Sequence, residues 1–132
     1  MKLNLYESRF AICRLDPHGP LPDWADGALL SITRTPRELS ILCAESAVPE
    51  GVRAETGFRA MEVLGPLDFS AVGILASLAN PLAEAGIPIL AVSTFDTDVV
   101  LVREGDLERA VAALGAAGWG VGDRGDATAT LT

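Results

Sequence analysis

The sequence predicts an α+β fold: antiparallel sheet with its helices packed on one face. Three observations predict it. Short β-branched runs alternate with two segments of helical period. Clusters of Pro, Gly, Asp and Thr separate these runs at the distances that hairpins and helix ends require. One hairpin also recurs about sixty positions downstream, as a duplicated unit would.

The elements follow in order. Leu3 to Glu7 and Phe10 to Leu15 are strand candidates, parted by Ser8-Arg9. After the loop Asp16-Pro17-His18-Gly19-Pro20, the stretch Leu21 to Ala25 can form one helical turn opened by Pro22 or Asp23. Ala28 to Thr33 and Leu39 to Cys43 read as a hairpin around Arg34-Thr35-Pro36-Arg37. Ala44 to Gly57, with Pro49 and Gly51, is polar and irregular and reads as the connection between two halves. Phe58 to Leu64 resumes as a strand.

A loop, Gly65-Pro66-Leu67-Asp68, comes next. Ile74, Leu75, Leu78, Leu82 and Ala85 then mark one face of a helix of about four turns. Asp68 or Ser70 can cap it, Asn80-Pro81 interrupts it, and Gly86 stops it. Ile87 to Val92 is nearly all apolar, as in a strand buried on both faces, with Pro88 tolerable at its start. Thr94-Phe95-Asp96-Thr97 is a turn, and Val99 to Val102 returns as the partner strand. Asp106 caps a second helix carrying Leu107, Ala110, Val111, Leu114 and Ala117, where Asp106 and Glu108 complement the helix dipole. Gly118 ends it, Trp119 to Val121 is a last strand, and residues 123–132 form a polar, flexible tail.

The repeat sets Ser31-Ile32-Thr33 on Ala91-Val92-Ser93, and Glu38 to Leu42 on Asp98 to Val102, so that both second strands open with an acid. Phe10 to Leu15 falls on Ala60 to Gly65 at a shift of fifty. The organisation is therefore two tandem units, residues 1–57 with an abbreviated helix and residues 58–122 complete, plus the tail. Strand, helix, strand, strand, helix, strand in the second unit gives two split βαβ crossovers on one antiparallel sheet.

The chain has 132 residues and a net charge of -8, which excludes the basic footprint of a nucleic-acid or anionic-membrane surface. Met1 to Glu7 turns polar too soon for a signal peptide. Ala71 to Val92 has the length of a membrane span, but Asn80, Pro81, Glu84 and Pro88 interrupt it and no Lys or Arg flanks it. The two cysteines, Cys13 and Cys43, lie in apolar runs and read as buried hydrophobes in a reducing cytoplasm or as a redox pair. They form no zinc site with the single histidine, His18.

No catalytic signature is present, and neither a cofactor nor a metal is expected. Asp96 and Asp98 could pair as carboxylates or serve turn chemistry. The helix start from Phe69 to Gly73 offers unpaired amides and the positive end of the dipole, which suit a carboxylate. Gly73 serves either close helix–sheet packing or the approach of a ligand. Asp98 could hold an ammonium group by a charge-assisted bond. An anion-binding helix start beside an acid matches the two ends of a free amino acid.

Gly73-Ile74-Leu75, Asn80-Pro81-Leu82-Ala83-Glu84-Ala85-Gly86-Ile87 and Ser93-Thr94-Phe95-Asp96-Thr97-Asp98 together resemble the ACT domain. The resemblance is closest to bacterial two-ACT proteins related to the CASTOR arginine sensors and to aspartate kinase regulatory domains. It implies a ferredoxin-like fold and a non-catalytic cytoplasmic sensor. The ligand is a small molecule such as an amino acid, often held where units meet, as in a homodimer. The implied ligand-binding residues are Phe69, Ser70, Val72, Gly73, Ile74, Ser93, Thr94 and Asp98. Asp98 and Gly73 match the arginine sensors' pattern, whereas Ala71 stands where those sensors carry an acid, which argues against arginine itself. The competing reading is an interaction module that builds oligomers without a ligand.

Overall fold

The computed structural model describes residues 1–65 and 72–123. Its strands are β1 (Lys2–Leu5), β2 (Phe10–Leu15), β3 (Ser31–Arg34), β4 (Leu39–Ala44), β5 (Ala54–Val63), β6 (Leu90–Ser93), β7 (Asp98–Arg103) and β8 (Gly120–Asp123). Its helices are α1 (Ile74–Glu84) and α2 (Leu107–Ala116), with 3-10 turns at Glu45–Ala47 and Glu104–Asp106. The expected loop residues Pro66, Leu67 and Asp68, the expected cap Ser70, and the tail beyond Asp123 lie outside the described residues. The chain divides into two compact units, Ser8–Phe58 and Met1–Glu7 with Arg59 onward.

In the unit Ser8–Phe58 the strand order is β3-β4-β2 followed by the start of β5, each pair antiparallel. This is the order that two split crossovers produce, although the crossing segments are short. Leu21 to Ala25 forms only a turn, with the Ala25 amide donating to the Pro22 carbonyl at 3.4 Å, and not the helical turn expected. Trp24 and Ala25 nevertheless pack on the core of Cys13, Leu39, Ile41 and Cys43, which is what a crossover helix would do.

β5 starts at Ala54, earlier than the expected Phe58. A bulge hides it from pattern reading. The register with β2 shifts between the Phe10–Phe58 and Ile12–Glu55 pairs, and Gly57 there has φ of 78°. One extra residue breaks the period-two alternation. The Glu45 carboxylate fixes the bulge by accepting the Gly57 amide at 2.6 Å.

In the other unit the order is β8-β1-β5-β7-β6. β1 is antiparallel to β5 through Leu3–Val63 and parallel to β8 through Leu3–Val121. Met1–Glu7 thus groups with the second unit, where the sequence reading placed it with the first, because its backbone bonds are made there. The last crossover, from β7 through α2 to β8, consequently passes over two strands and not one. Leu3, Met61, Val63, Val100 and Val102 from one sheet face pack with Leu78 and Leu82 of α1 and Ala110 and Leu114 of α2, so both helices cover that face. The Trp119 indole N–H donates to the Ser77 carbonyl at 3.2 Å, tying the end of α2 to the start of α1.

On the opposite face the Tyr6 hydroxyl donates to Glu62 Oε2 at 3.0 Å. Burial raises the Glu62 pKa above its ordinary 4.5, and the Tyr6 bond offsets part of the rise. A folded state with a raised acid pKa holds its proton to higher pH. Stability is therefore lost as pH rises from the ordinary value through the raised one. Glu62→Gln keeps an acceptor for Tyr6 but does not titrate. Its melting temperature relative to the native chain should climb between about pH 4.5 and neutrality; a pH-independent difference would contradict this.

Candidate functional site

The hairpin β6–β7 closes on the Ser93–Asp98 pair, leaving Thr94 to Thr97 as a four-residue loop. Threonine chemistry orders this loop. The Thr94 amide donates to the Thr97 carbonyl at 2.8 Å, and Thr94 Oγ1 accepts the Thr97 amide at 3.2 Å. Thr97 is buried, and its hydroxyl donates to the Val63 carbonyl at 2.5 Å. That bond fastens the loop to the end of β5, two residues before Gly65, where the chain leaves toward α1.

At the hairpin's shoulder Asp98 is half-buried, and Ser93 Oγ donates to its Oδ1 at 2.7 Å. The carboxylate is thereby oriented by its cross-strand neighbour. Thr94 is committed to the loop itself, also donating to the Thr97 carbonyl at 3.1 Å. Phe95 stands at the loop tip 82% exposed. Sequence reasoning passed it over as a turn residue, although an aromatic in an otherwise polar turn is a signal.

The helix start differs from expectation. α1 begins at Ile74 and not within Phe69 to Gly73, and it runs for 11 residues, about three turns. Gly73 is the N-cap, with φ of 80°. A left-handed residue cannot continue a right-handed helix, so the helix starts after it. A methyl placed on Gly73 would meet nothing within 4 Å among the described residues, so toward them the glycine supplies backbone conformation and not close packing. Among the described residues no side chain caps the helix. The Ser77 amide closes the first turn on the Gly73 carbonyl at 2.9 Å, which leaves Ile74, Leu75 and Ala76 amides without intrahelical acceptors. Val72, just before, is 90% exposed. Phe69 and Ser70 lie outside the described residues.

The structure also corrects the repeat. The first hairpin closes on Arg34–Leu39, with Thr35 to Glu38 as its loop. The Thr35 amide donates to the Glu38 carbonyl at 2.9 Å, and Thr35 Oγ1 accepts the Glu38 amide at 3.2 Å. Thr35 therefore corresponds to Thr94 and Leu39 to Asp98, one position off the sequence alignment. Glu38 is a loop residue. The counterpart of Asp98 is a fully buried leucine, so the acid is peculiar to the second hairpin.

Other candidates fall to their surroundings. Asp96 is exposed, and so is His18, whose backbone amide donates to Asp16 Oδ1 at 2.8 Å in a local turn. Cys13 and Cys43 are free and buried, and burial, with Cys13 adjacent, pushes the Cys43 thiol up to about 11. Such a thiol is protonated at neutral pH and a poor nucleophile. Among the described residues no group of three or more His, Cys, Asp or Glu is disposed to hold a metal, and no helix is long and apolar enough to cross a membrane. Open grooves are present among the described residues. One of about 320 Å³ lies in the unit Ser8–Phe58, and one of about 270 Å³ is lined by Lys2, Leu3, Leu64 and Gly120 to Gly122.

The Thr97–Val63 bond is the anchor of this geometry. Thr97→Val strands a buried carbonyl and should cost about 1–3 kcal/mol, read as a lower denaturation midpoint at unchanged m-value. Unchanged stability would show that the loop is held by other means.

Strand order and layering define a ferredoxin-like α+β protein of two units. A family model for the ACT domain matches residues 53–116, and a model described as an N-terminal domain matches residues 8–51. The crystal structure of protein Atu0741 from Agobacterium tumefaciens is 40% identical, with a TM-score of 0.88 over 93% of this chain and 92% of that one. VC0802 from Vibrio cholerae is 22% identical, with a TM-score of 0.73 over 88% of each chain. The regulatory subunit of aspartate kinase from Thermus thermophilus is 14% identical, with a TM-score of 0.61 over 88% of this chain and 97% of that one. Comparison with curated proteins finds no match. The chain belongs to the ACT-domain family.

Proposed function

We propose that this protein is a non-catalytic regulatory domain that binds a free amino acid. Membership of the ACT family supports a regulatory, ligand-binding role, and the fold shared with an aspartate kinase regulatory subunit agrees with it. The observation that carries the finer reading is Asp98, a half-buried carboxylate with one oxygen oriented by Ser93, on a hairpin fastened to the end of β5.

In this reading the ligand's ammonium group meets Asp98, through the oxygen that Ser93 leaves open. Its carboxylate meets the first amides of α1 that follow Gly73, beginning with Ile74. Val72 and Ile74, with Phe69 and Ser70, supply the wall, and Ser93 and Thr94 line the strand end. The protein works in the cytoplasm, and its ligand biases the assembly of a homodimer by binding one state more tightly than the other.

Thermal denaturation in the presence of each of the twenty free amino acids tests this. A ligand at a hundred times its dissociation constant should add about 2.7 kcal/mol of stability, and Asp98→Ala should abolish the shift. A flat response to all twenty would overturn the reading in favour of a ligand-independent interaction module, for which the exposed Val72 and Phe95 would be the first surface to examine.

A further inference from the structure

The groove of about 320 Å³ in the unit Ser8–Phe58 is bounded by Ile12, Cys13 and Ala54, and its other lining residues make an unusual charge arrangement. Arg14 donates its backbone amide to the Arg53 carbonyl at 3.0 Å, one step beyond the Cys13–Ala54 pair. The two arginines therefore stand opposite one another across adjacent strands, and both line the groove. Like charges directly opposite destabilise a sheet. The Arg14 guanidinium is steadied from one side, donating to the Arg37 carbonyl at 3.1 Å and standing 3.6 Å from Glu38. Its register partner on that same side is Ser40 of β4, whose hydroxyl can donate as well.

Arg14, Arg53 and Ser40 line one groove, and two guanidiniums with a hydroxyl are a donor set for a carboxylate. The groove's remaining polar residues are acids, Glu38 beside Ser40 and Glu55 beside Ile12, and Ile12 gives it an apolar floor. Acids at the margin disfavour a polyanion and accept an ammonium group. We infer that this groove is a second binding site, for a small zwitterion of the amino-acid class, with its carboxylate between Arg14 and Arg53 and its ammonium group toward Glu38 or Glu55. The site lies wholly within the unit Ser8–Phe58 and shares no residue with the Asp98 site, so either can exist without the other.

The test uses the full chain, isotopically labelled for NMR and titrated with each of the twenty free amino acids and, separately, with inorganic phosphate. At least one amino acid should move the amide resonances of Ile12, Ser40 and Ala54 saturably. Arg53→Ala, an exposed substitution, should weaken that binding about tenfold or more, as expected for loss of a charge-assisted contact. Asp98→Ala, which disables only the other site, should leave the response in place. Without ligand, Arg53→Ala should raise the melting temperature by about 2 °C, because it relieves the like-charge pair. The proposal is overturned if none of the twenty moves these amides, if binding survives Arg53→Ala, if phosphate saturates the groove as tightly as the best amino acid, or if Arg53→Ala lowers the melting temperature.

Discussion

The hydroxyl of Thr97 on the carbonyl of Val63 is the contact on which the candidate site depends. A carbonyl at the end of a buried strand needs a partner, and leaving it without one costs more than the bond itself contributes. The partner here comes from the loop of another strand pair. One bond therefore joins the end of β5 to the β6–β7 loop. Asp98 follows directly on Thr97 in the chain, so its position is inherited from that anchor. Ser93 then removes the remaining freedom of the carboxylate.

The two units show how one topology serves different ends. Both have the strand order of split crossovers at their centre, and both close their hairpins with a threonine-ordered loop of four residues. The unit Ser8–Phe58 has Leu39 in the place of Asp98 and a turn in the place of α1. It lacks the acid and the helix start together, so an amino-acid site of the second unit's kind cannot form there. What it presents to solvent instead is a sheet face with two opposed arginines.

Much of this was legible in the residues, and the failures have physical causes. β2, with its apolar run and turn signals at both ends, was read to the residue, Phe10 to Leu15. The α2 face was read from its period, with Ala110 and Leu114 buried as that period requires. The start of β5 was missed because the bulge at Gly57 breaks the alternation, and a strand that bends does not advertise its register. Of the candidate site, the residues single out Asp98 and Gly73, the glycine for close packing or for the approach of a ligand; its left-handed cap conformation is not displayed by any pattern. The hairpin alignment slipped by one position because Glu38 and Asp98 are both acids, and composition outweighed loop geometry that no pattern displays. Thr97 was read as turn chemistry alone, since nothing in the sequence says that its hydroxyl reaches a residue thirty-four positions earlier.

The central claim is that a hairpin carboxylate and a helix start receive opposite ends of one metabolite. A crystal structure of the chain with whichever free amino acid stabilises it most tests this directly. The account predicts the ligand's ammonium group within about 3 Å of the Asp98 carboxylate and its carboxylate within about 3 Å of the Ile74 or Leu75 amide. A ligand seated elsewhere, with Asp98 bonded to Ser93 and solvent alone, would contradict it.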